Sequence, residues 1–568
     1  MTENLDKITV IFLAAGEGKR MRSITNIPKP LINIGSQAAL ALELKPFLEF
    51  GFKNFSFILG NNGDLIEYYM RANYGNLNLQ FHYIKEALGT AHSLYQVRHL
   101  YPSNSIIVCH ADNIYLKEHF YNIDLSENFI FVNNDPQLKP FAYVELKNNT
   151  VMKAVEKPKK FFSPYVISGL FYFRDSKIVW EATEYNFRYE KKSGLEWSIS
   201  DVLDTLSFKS KHKILAHMID TPIHFGTPDE YERTIHSYDD KSPSISRAMN
   251  DITFYEDKKG KKCVRKESNS EIGKQNLYSE IKYLNSLPKN ISSHFPKILN
   301  YTYKFYEMEH EKGEEISNLC QKNKINIKDL DFFFNSLFNI LKKDFHTKNV
   351  KAINDAVHYE VFEKTQIRLR EFQSAMKLDG NFIDINGLNC INPIYLINEL
   401  IEINKKKKLI FVDKFTLIHG DLNLTNVLYD LDTKKITLID PRGKYGNKIS
   451  QYGDPSYDLM RILACFEHGY DSIAKGNFKL SFKGTKILID VKKPRIYDNY
   501  IEILKKMIQD YFPSIPPVNY EIQSIFYFLN LLPFHSDSVE RSLTFYYWGT
   551  FKLNNYFNIR YKKYENLH

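Results

Sequence analysis

Three groups of residues in this chain have the types and spacings that phosphate chemistry requires. Near the start, Gly16 and Gly18 stand in the string Leu13-Ala14-Ala15-Gly16-Glu17-Gly18-Lys19-Arg20. Glycines there let the backbone turn tightly and approach a ligand, so that successive N–H groups can point at phosphate oxygens. Arg20 and Lys29 add two cations able to neutralise a triphosphate. Asp112 closes the apolar run SIIVCHAD. A carboxylate at the end of such a run is poorly solvated unless it meets a cation, and Mg²⁺ bridging nucleotide phosphates needs hard oxygen ligands of this kind. Far downstream, His419-Gly420-Asp421 is followed by Asn426 and, after a short hairpin, by Asp440. Phosphoryl transfer from ATP needs one carboxylate to orient or deprotonate the attacking hydroxyl. It also needs an Asn and an Asp to hold Mg²⁺.

The elements that position these groups follow from periodicity. ITVIFLA, ahead of Gly16, is short, β-branched and without a polar face, and predicts a buried parallel strand. Residues 38–52 have helical apolar spacing and NFSFILG is the next strand, a βαβ rhythm that runs to about residue 110 and predicts a parallel sheet. A Gly-rich turn after a strand at the carboxyl edge of such a sheet is where doubly wound folds place nucleotides. Gly89-Thr90-Ala91 opens a helix, whose N-terminus suits anions or polar base edges. Residues 236–250 are polar, carry Ser, Asp and Pro and lack periodicity. The expected division is therefore a domain over 1–236, a linker over 237–250 and a second domain over 251–568. The second domain opens with two strands around Lys259-Gly260, the latter strand carrying Lys266. A helix then runs from Glu271 past Glu280 and stops before Pro288. Its end is helical, with Phe and Tyr at a spacing that predicts core.

The opening string, with Pro28-Lys29-Pro30-Leu31, resembles the signature of the nucleotidyltransferase superfamily that joins a nucleoside monophosphate to a sugar phosphate or phosphocholine. The resemblance implies that Leu13, Ala14, Ala15, Gly16 and Gly18 contact the nucleotide, that Gly89 and Thr90 help hold the base, and that Asp112 binds the metal. It also implies that Glu156 holds a substrate hydroxyl while Lys157 grips its phosphate. Gly169 would bring backbone close to the second substrate, and Glu196 and Asp201 would contact it. The closing GTPDEY element departs from the family's pattern, because His224-Phe225 precede Gly226 where an Asp often completes the metal site. Asp220 is the candidate replacement. The implied reaction is attack of a substrate phosphate on the α-phosphorus of an NTP with release of pyrophosphate, promoted by Arg20, Lys29, Lys157 and Mg²⁺ through positioning and charge neutralisation.

The set at 417–443, with GDPSYDLMRI at 453–462, resembles the aminoglycoside phosphotransferase and choline kinase family, which has the protein-kinase-like fold. The resemblance covers about 251–568. It implies that Asp421 is the catalytic base, Asn426 and Asp440 are metal ligands, Lys266 pairs the ATP phosphates and Glu280 orients it, with His419 bracing the loop. Lys259-Gly260 stands where a Gly-rich run is usual, and Arg442, after Asp440-Pro441, is a candidate for facing the substrate or its phosphate. His535-Ser536-Asp537 interrupts the apolar C-terminal pattern, and Asp537 is the candidate acceptor contact. The expected fold class is α/β: a doubly wound mixed sheet, Rossmann-like, followed by a protein-kinase-like α+β domain.

The bulk properties fit these expectations. The 568 residues are 43% hydrophobic and 25% charged, ordinary for a soluble chain, and 14% aromatic. A net charge of +9 over this length suits anionic small substrates and does not indicate nucleic-acid binding. Lys405–Lys408 reads as a solvated helix face. The five cysteines are far apart and lack metal-ligand spacing, so reduced thiols in a cytoplasmic protein are expected. The N-terminus carries no signal pattern and no apolar run reaches membrane-spanning length. The functional expectation is a bifunctional enzyme using Mg²⁺, ATP and a second NTP (CTP, UTP, GTP or dTTP). A kinase half phosphorylates a small hydroxylated molecule, a sugar being favoured, and a transferase half activates the phosphate for surface polysaccharide or cell-wall metabolism. Two alternatives stand beside it: a choline or amino-alcohol kinase with a cytidylyltransferase, and a transferase carrying a non-catalytic sensor module. The expected partners are small molecules, without nucleic acid or membrane insertion, and a homo-oligomer is compatible with the sequence.

Overall fold

The computed structural model describes residues 5–558 apart from 17, 22–26, 36, 61, 122, 136–140, 190–195, 211, 238–243, 247–249 and 269–270. Glu17 of the opening string and most of the expected linker lie outside the described residues. The chain divides into two compact units, Met1–Asp240 and Lys241–His568.

The first unit is built on a nine-stranded mixed sheet. Strand Thr9–Ala14 lies inside it, paired in parallel with Asn54–Leu59 on one side and Ile106–His110 on the other. Asn78–Tyr83 extends the first side, also parallel. The chain thus lays down its first three long strands in one direction from Thr9–Ala14 and the fourth in the other. This reversal opens a crevice at the carboxyl ends of Thr9–Ala14 and Ile106–His110. Beyond Ile106–His110 the sheet turns antiparallel through Tyr165–Phe173 and continues with Phe129–Asn134 and Leu215–Met218. The apolar strand runs explain the burial: Val10, Ile11, Phe12, Ile106 and Val108 are essentially inaccessible. Helix Ala39–Phe50 ends at Gly51, whose φ of 107° terminates it in the left-handed region.

The second unit begins with a five-stranded antiparallel sheet ordered Ser244–Ser246, Asp251–Glu256, Lys262–Glu267, Phe305–Glu309, Ile298–Tyr301. Ser244–Ser246 is an edge strand of this sheet, so part of the stretch expected as linker is paired structure. Helix Glu271–Ser286 covers the sheet through Leu277 and Ile281, which cluster with Tyr306. The remainder is mainly helical. Helix Ser456–His468 is buried along nearly its whole length and packs against Pro517–Asn530, which in turn packs on Val539–Tyr556. The aromatic C-terminal stripe is core, with Tyr520, Phe526, Phe528, Phe545 and Tyr546 buried. All five cysteines are buried and unpaired. Among the described residues no helix is long and apolar enough to cross a membrane.

Candidate active sites

In the first unit a cavity of about 860 Å³ opens at the crevice between the two inner strand ends. Leu13, Ala14, Ala15, Gly16, Gly18, Arg20, Lys29, Gly89, Thr90, Asp112, Glu156, Lys157 and Glu196 all line it. Gly169 lines an adjoining cavity of about 510 Å³ that shares Arg20, Asp112, Glu156 and Lys157. Lys29 is delivered by a short turn, Lys29–Leu31, whose Leu31 is fully buried and anchors it. Its Nζ donates to Asp112 Oδ2 at 2.7 Å. Burial pushes the Asp112 carboxyl up, but Lys29, His110 and His224 outweigh burial and hold it at about 2, so it is ionised at any ordinary pH. Asn113 Nδ2 donates to Asp112 Oδ1 at 2.9 Å, and the His224 ring nitrogen Nδ1 lies 2.5 Å from Asn113 Oδ1.

Gly89 adopts φ 103°, and a Cβ there would stand 2.3 Å from the Trp197 carbonyl oxygen. Glycine is required because this loop docks backbone to backbone: Ala91 N–H donates to Trp197 O and Trp197 N–H to Leu88 O. Thr90 Oγ1 accepts from the Ile199 N–H, tying the two helix starts together. Glu156 accepts from Ser200 Oγ at 2.7 Å, and Lys157 Nζ lies 3.6 Å from Glu156 and 3.8 Å from Glu196. Asp201 makes a capping box with Ser198, accepting from its N–H and Oγ, so it serves the helix rather than lining either cavity.

Asp220 does not line either cavity. It follows Leu215–Met218, which lies three places from Ile106–His110 in the sheet order, and its charge acts on His119. The chain then returns, because Ile223–His224 pairs with Asn113–Ile114. That pairing brings Gly226 and helix Pro228–Ser237 onto the cavity, with Thr227 Oγ1 accepting from the Glu230 N–H to set the first turn. A methyl group on Gly226 would stand 3.1 Å from Lys29 Nζ, 3.2 Å from Glu230 Oε2 and 3.5 Å from Asp112 Oδ2. Two carboxylates and a lysine therefore converge on one point. Glu230 is the residue that sequence reasoning missed, although GTPDE carries it in plain view. Glu43, 1% exposed, lines neither cavity but lies close enough to Asp112 and Lys29 to feel both charges. Burial and the Asp112 charge push its carboxyl well up, against the pull of Lys29.

In the second unit a cavity of about 280 Å³ is lined by Lys266, Glu280, Asp421, Asp440 and Arg442, among others. Lys266, 5% exposed, sits between two carboxylates, 2.8 Å from Glu280 and 3.1 Å from Asp440. Burial lowers the ammonium, and the two carboxylates more than reverse this, so it is held charged. The loop bearing Asp421 is stitched from all sides. Asp458 accepts the N–H groups of His419 and Gly420, each at 2.8 Å. His419 stacks on Phe295, its ring Nδ1 accepts the Asp421 N–H, and burial lowers it to about 4, so it is a neutral brace. Asn426 Nδ2 donates to Asp421 O at 2.9 Å and Oδ2 at 3.1 Å, and Arg461 forms an ion pair with Asp421 Oδ1 at 2.7 Å. Gly443, at φ 65°, lies where a Cβ would meet the Ser279 carbonyl oxygen at 2.2 Å, which holds the Asp440–Gly443 segment against helix Glu271–Ser286. Arg442 forks onto Glu360 at 2.5 and 3.2 Å. Asp537 does not line the cavity; it pairs with Arg541 at 3.0 Å, and His535 lines the cavity instead.

Residues 9–221 match the family described as Nucleotidyl transferase. This stretch holds Asp112, Lys29 and every residue lining the larger cavity except Gly226. The catalytic subunit beta of mannose-1-phosphate guanylyltransferase from Xenopus tropicalis is 27% identical over 175 residues, covering 29% of this chain and 49% of that protein. The chain thus spans about half the length of the curated relative it matches. Among solved structures, a nucleoside-diphosphate-sugar pyrophosphorylase from Vibrio cholerae is 19% identical with a TM-score of 0.36, covering 40% of this chain and all of the other. The CTP:phosphocholine cytidylyltransferase of Streptococcus pneumoniae is 18% identical with a TM-score of 0.35, covering 40% of this chain and 98% of the other.

Proposed function

We propose that the chain carries two phosphate-transferring sites acting on one small molecule. In the first unit, a substrate phosphate attacks the α-phosphorus of an NTP, forming an NDP-linked product and pyrophosphate. The observation that carries this is the Lys29–Asp112 pair at the strand-order reversal, inside the stretch that matches the family. Loop 13–18 would cradle the phosphates through backbone N–H groups, and Arg20, Lys29 and Lys157 would neutralise charge as it develops. Two carboxylates on one point, with remaining positions left to phosphate oxygens and water, suit Mg²⁺, so Asp112 and Glu230 are its candidate holders. When bound, the ion lowers the electrostatic cost of bringing anionic phosphates together. A sugar phosphate is the favoured substrate, since the relative just described is named for mannose-1-phosphate.

In the second unit, the γ-phosphoryl group of ATP passes to a hydroxyl. Lys266, held by Glu280, would meet the nucleotide phosphates; Asp421 would orient or deprotonate the acceptor; Asn426 and Asp440 are the candidate Mg²⁺ holders. Supporting this are the buried Lys266–Glu280–Asp440 cluster and Asp421 on one cavity. A sensor needs no such alignment. The experiment is mass spectrometry of products formed by the full chain from a mixed pool of small alcohols, sugars and NTPs. An NDP-linked compound whose phosphate derives from ATP is expected. Pyrophosphate release without ATP consumption by any acceptor would reduce the second unit to a binding module.

A further inference from the structure

The cavity beside Asp421 is lined by an excess of positive charge. Lys364 and Arg368 stand one turn apart on helix Lys364–Met376, Arg442 and Lys444 follow Asp440, and Arg461 comes from helix Ser456–His468. Three separate elements thus direct five cations at one space. Their carboxylate partners are fewer. Arg461 takes Asp421, while Lys364 and Arg442 share the single carboxylate of Glu360, which is 1% exposed. Arg368 donates to the Asn530 carbonyl at 2.7 Å and lies over the Phe534 ring. Lys444 donates to Asn276 Oδ1. Among the described residues these last two have only neutral hydrogen-bond partners.

Clustered like charges repel, and the strain is visible: burial and the neighbouring cations lower Arg368 to about 10 and Lys444 to about 8, and push Lys364 well down. The nucleotide phosphates already have Lys266 on the sheet side of the cavity. Tyr470, Tyr527 and Phe534 also line the cavity, Tyr527 beneath Arg461 and Phe534 beneath Arg368.

We propose that the molecule accepted beside Asp421 carries an oxyanion, a phosphate or a carboxylate, in addition to its reacting hydroxyl. Arg368 and Lys444 hold that oxyanion, with Lys364 and Arg442 lining the same cavity. The inference rests on the phosphotransfer reading only for the reacting hydroxyl; the anion site stands on the charge distribution. It disfavours choline and amino alcohols, whose ammonium would face this cluster without a free carboxylate.

The test is calorimetric titration of the full chain without nucleotide, at fixed ionic strength. Inorganic phosphate, acetate, glucose 6-phosphate, glucose and choline are the probes. An anion-binding component is expected that weakens at least tenfold in Arg368→Gln and in Lys444→Gln, and less in Arg368→Lys. Thermal melts of each variant report folding. The phosphate and acetate arms tell which oxyanion the site prefers. Anion binding indifferent to both Gln substitutions, or choline binding more tightly than phosphate, would overturn the proposal. ATP consumption is read separately. If no acceptor consumes ATP while the anion component survives, the phosphotransfer reading fails and the anion site stands. If neutral alcohols consume ATP as efficiently as their phosphorylated or carboxylated analogues, the oxyanion proposal fails and phosphotransfer stands.

Discussion

The two sites handle charge in opposite ways. In the first unit the candidate groups hang from strand ends and short turns around an open crevice of about 860 Å³, and the central ion pair, Lys29–Asp112, is partly solvated. In the second, the cavity is a third of that size and most of its charges are cross-linked: Lys266 to Glu280 and Asp440, Arg442 and Lys364 to the buried Glu360, and Arg461 to Asp421, whose carboxylate is as exposed as that of Asp112, while Arg368 and Lys444 keep neutral partners. An open crevice leaves its charges to be completed by the ligand. A buried network must be satisfied before any ligand arrives, because an uncompensated charge in low dielectric is costly. The first arrangement leaves its electrostatics open to a ligand, while the second commits most of its own to architecture.

The largest effect that would sharpen this contrast is on stability. Lys266→Met removes the cation between two buried carboxylates, and breaking such an arrangement typically costs about 3–5 kcal/mol. Urea denaturation should show the second unit destabilised by that order and ATP consumption lost. An unchanged midpoint would mean that Glu280 and Asp440 find other partners, and the contrast would dissolve. Next comes the first site. Lys29→Ala or Asp112→Asn should lower pyrophosphate release by about 3–4 kcal/mol of transition-state stabilisation, a factor of 10² or more, while leaving the urea midpoint nearly unmoved. A large stability loss in either variant would show that the first site, too, is structural.

What could be read from residue order and what could not follows the same division. The glycine turn before Arg20, Lys29 between prolines, and Asp112 after an apolar strand are local patterns, and the parallel βαβ rhythm places them at one crevice without further information. His419-Gly420-Asp421 with Asn426 and Asp440 is local in the same sense. Glu360, Lys364 and Arg368 belong to no motif; only packing of their helix segment brings them to Arg442. Asp220 and Asp537 have the expected side chain but line none of the three cavities. Sheet order carries the first toward His119, and Arg541, one helical turn on, claims the second. Glu230 needed the return strand Ile223–His224 to reach the site, a pairing two residues long that no periodicity announces.

Glu230 offers a smaller test of how far the first crevice relies on ligand completion. Glu230→Gln keeps the shape and removes one charge. The Mg²⁺ concentration for half-maximal pyrophosphate release should rise roughly tenfold, the scale seen even for outer-shell partners of bound metals. Electron paramagnetic titration with Mn²⁺ should show the same weakening. Equal metal affinity in wild type and variant would assign the ion to Asp112 and substrate oxygens alone.

The smallest effect concerns pH and separates the two sites within one titration. Burial, then Arg442 and Arg368, lower the Lys444 ammonium to about 8 against the pull of Glu280. Its unfolded value is about 10.4, so between those two pH values the unfolded chain binds the extra proton. Stability therefore rises as pH goes from about 8 toward 10, because the folded state no longer carries a strained charge. Affinity for an oxyanion moves the other way. It is fullest below pH 8, where Lys444 is protonated, and falls as pH rises through 8, by about tenfold if one charge-assisted contact of about 1.5 kcal/mol is lost. Asp112, held at about 2, stays ionised over the same range and adds no such step to the first site. Calorimetry with acetate at pH 7 and pH 9, repeated on Lys444→Arg, isolates the group, since neither the acetate nor an arginine titrates there. The pH dependence should flatten in that variant. If it persists, the titrating group lies elsewhere in the cation cluster, and Lys444 does not distinguish the two sites.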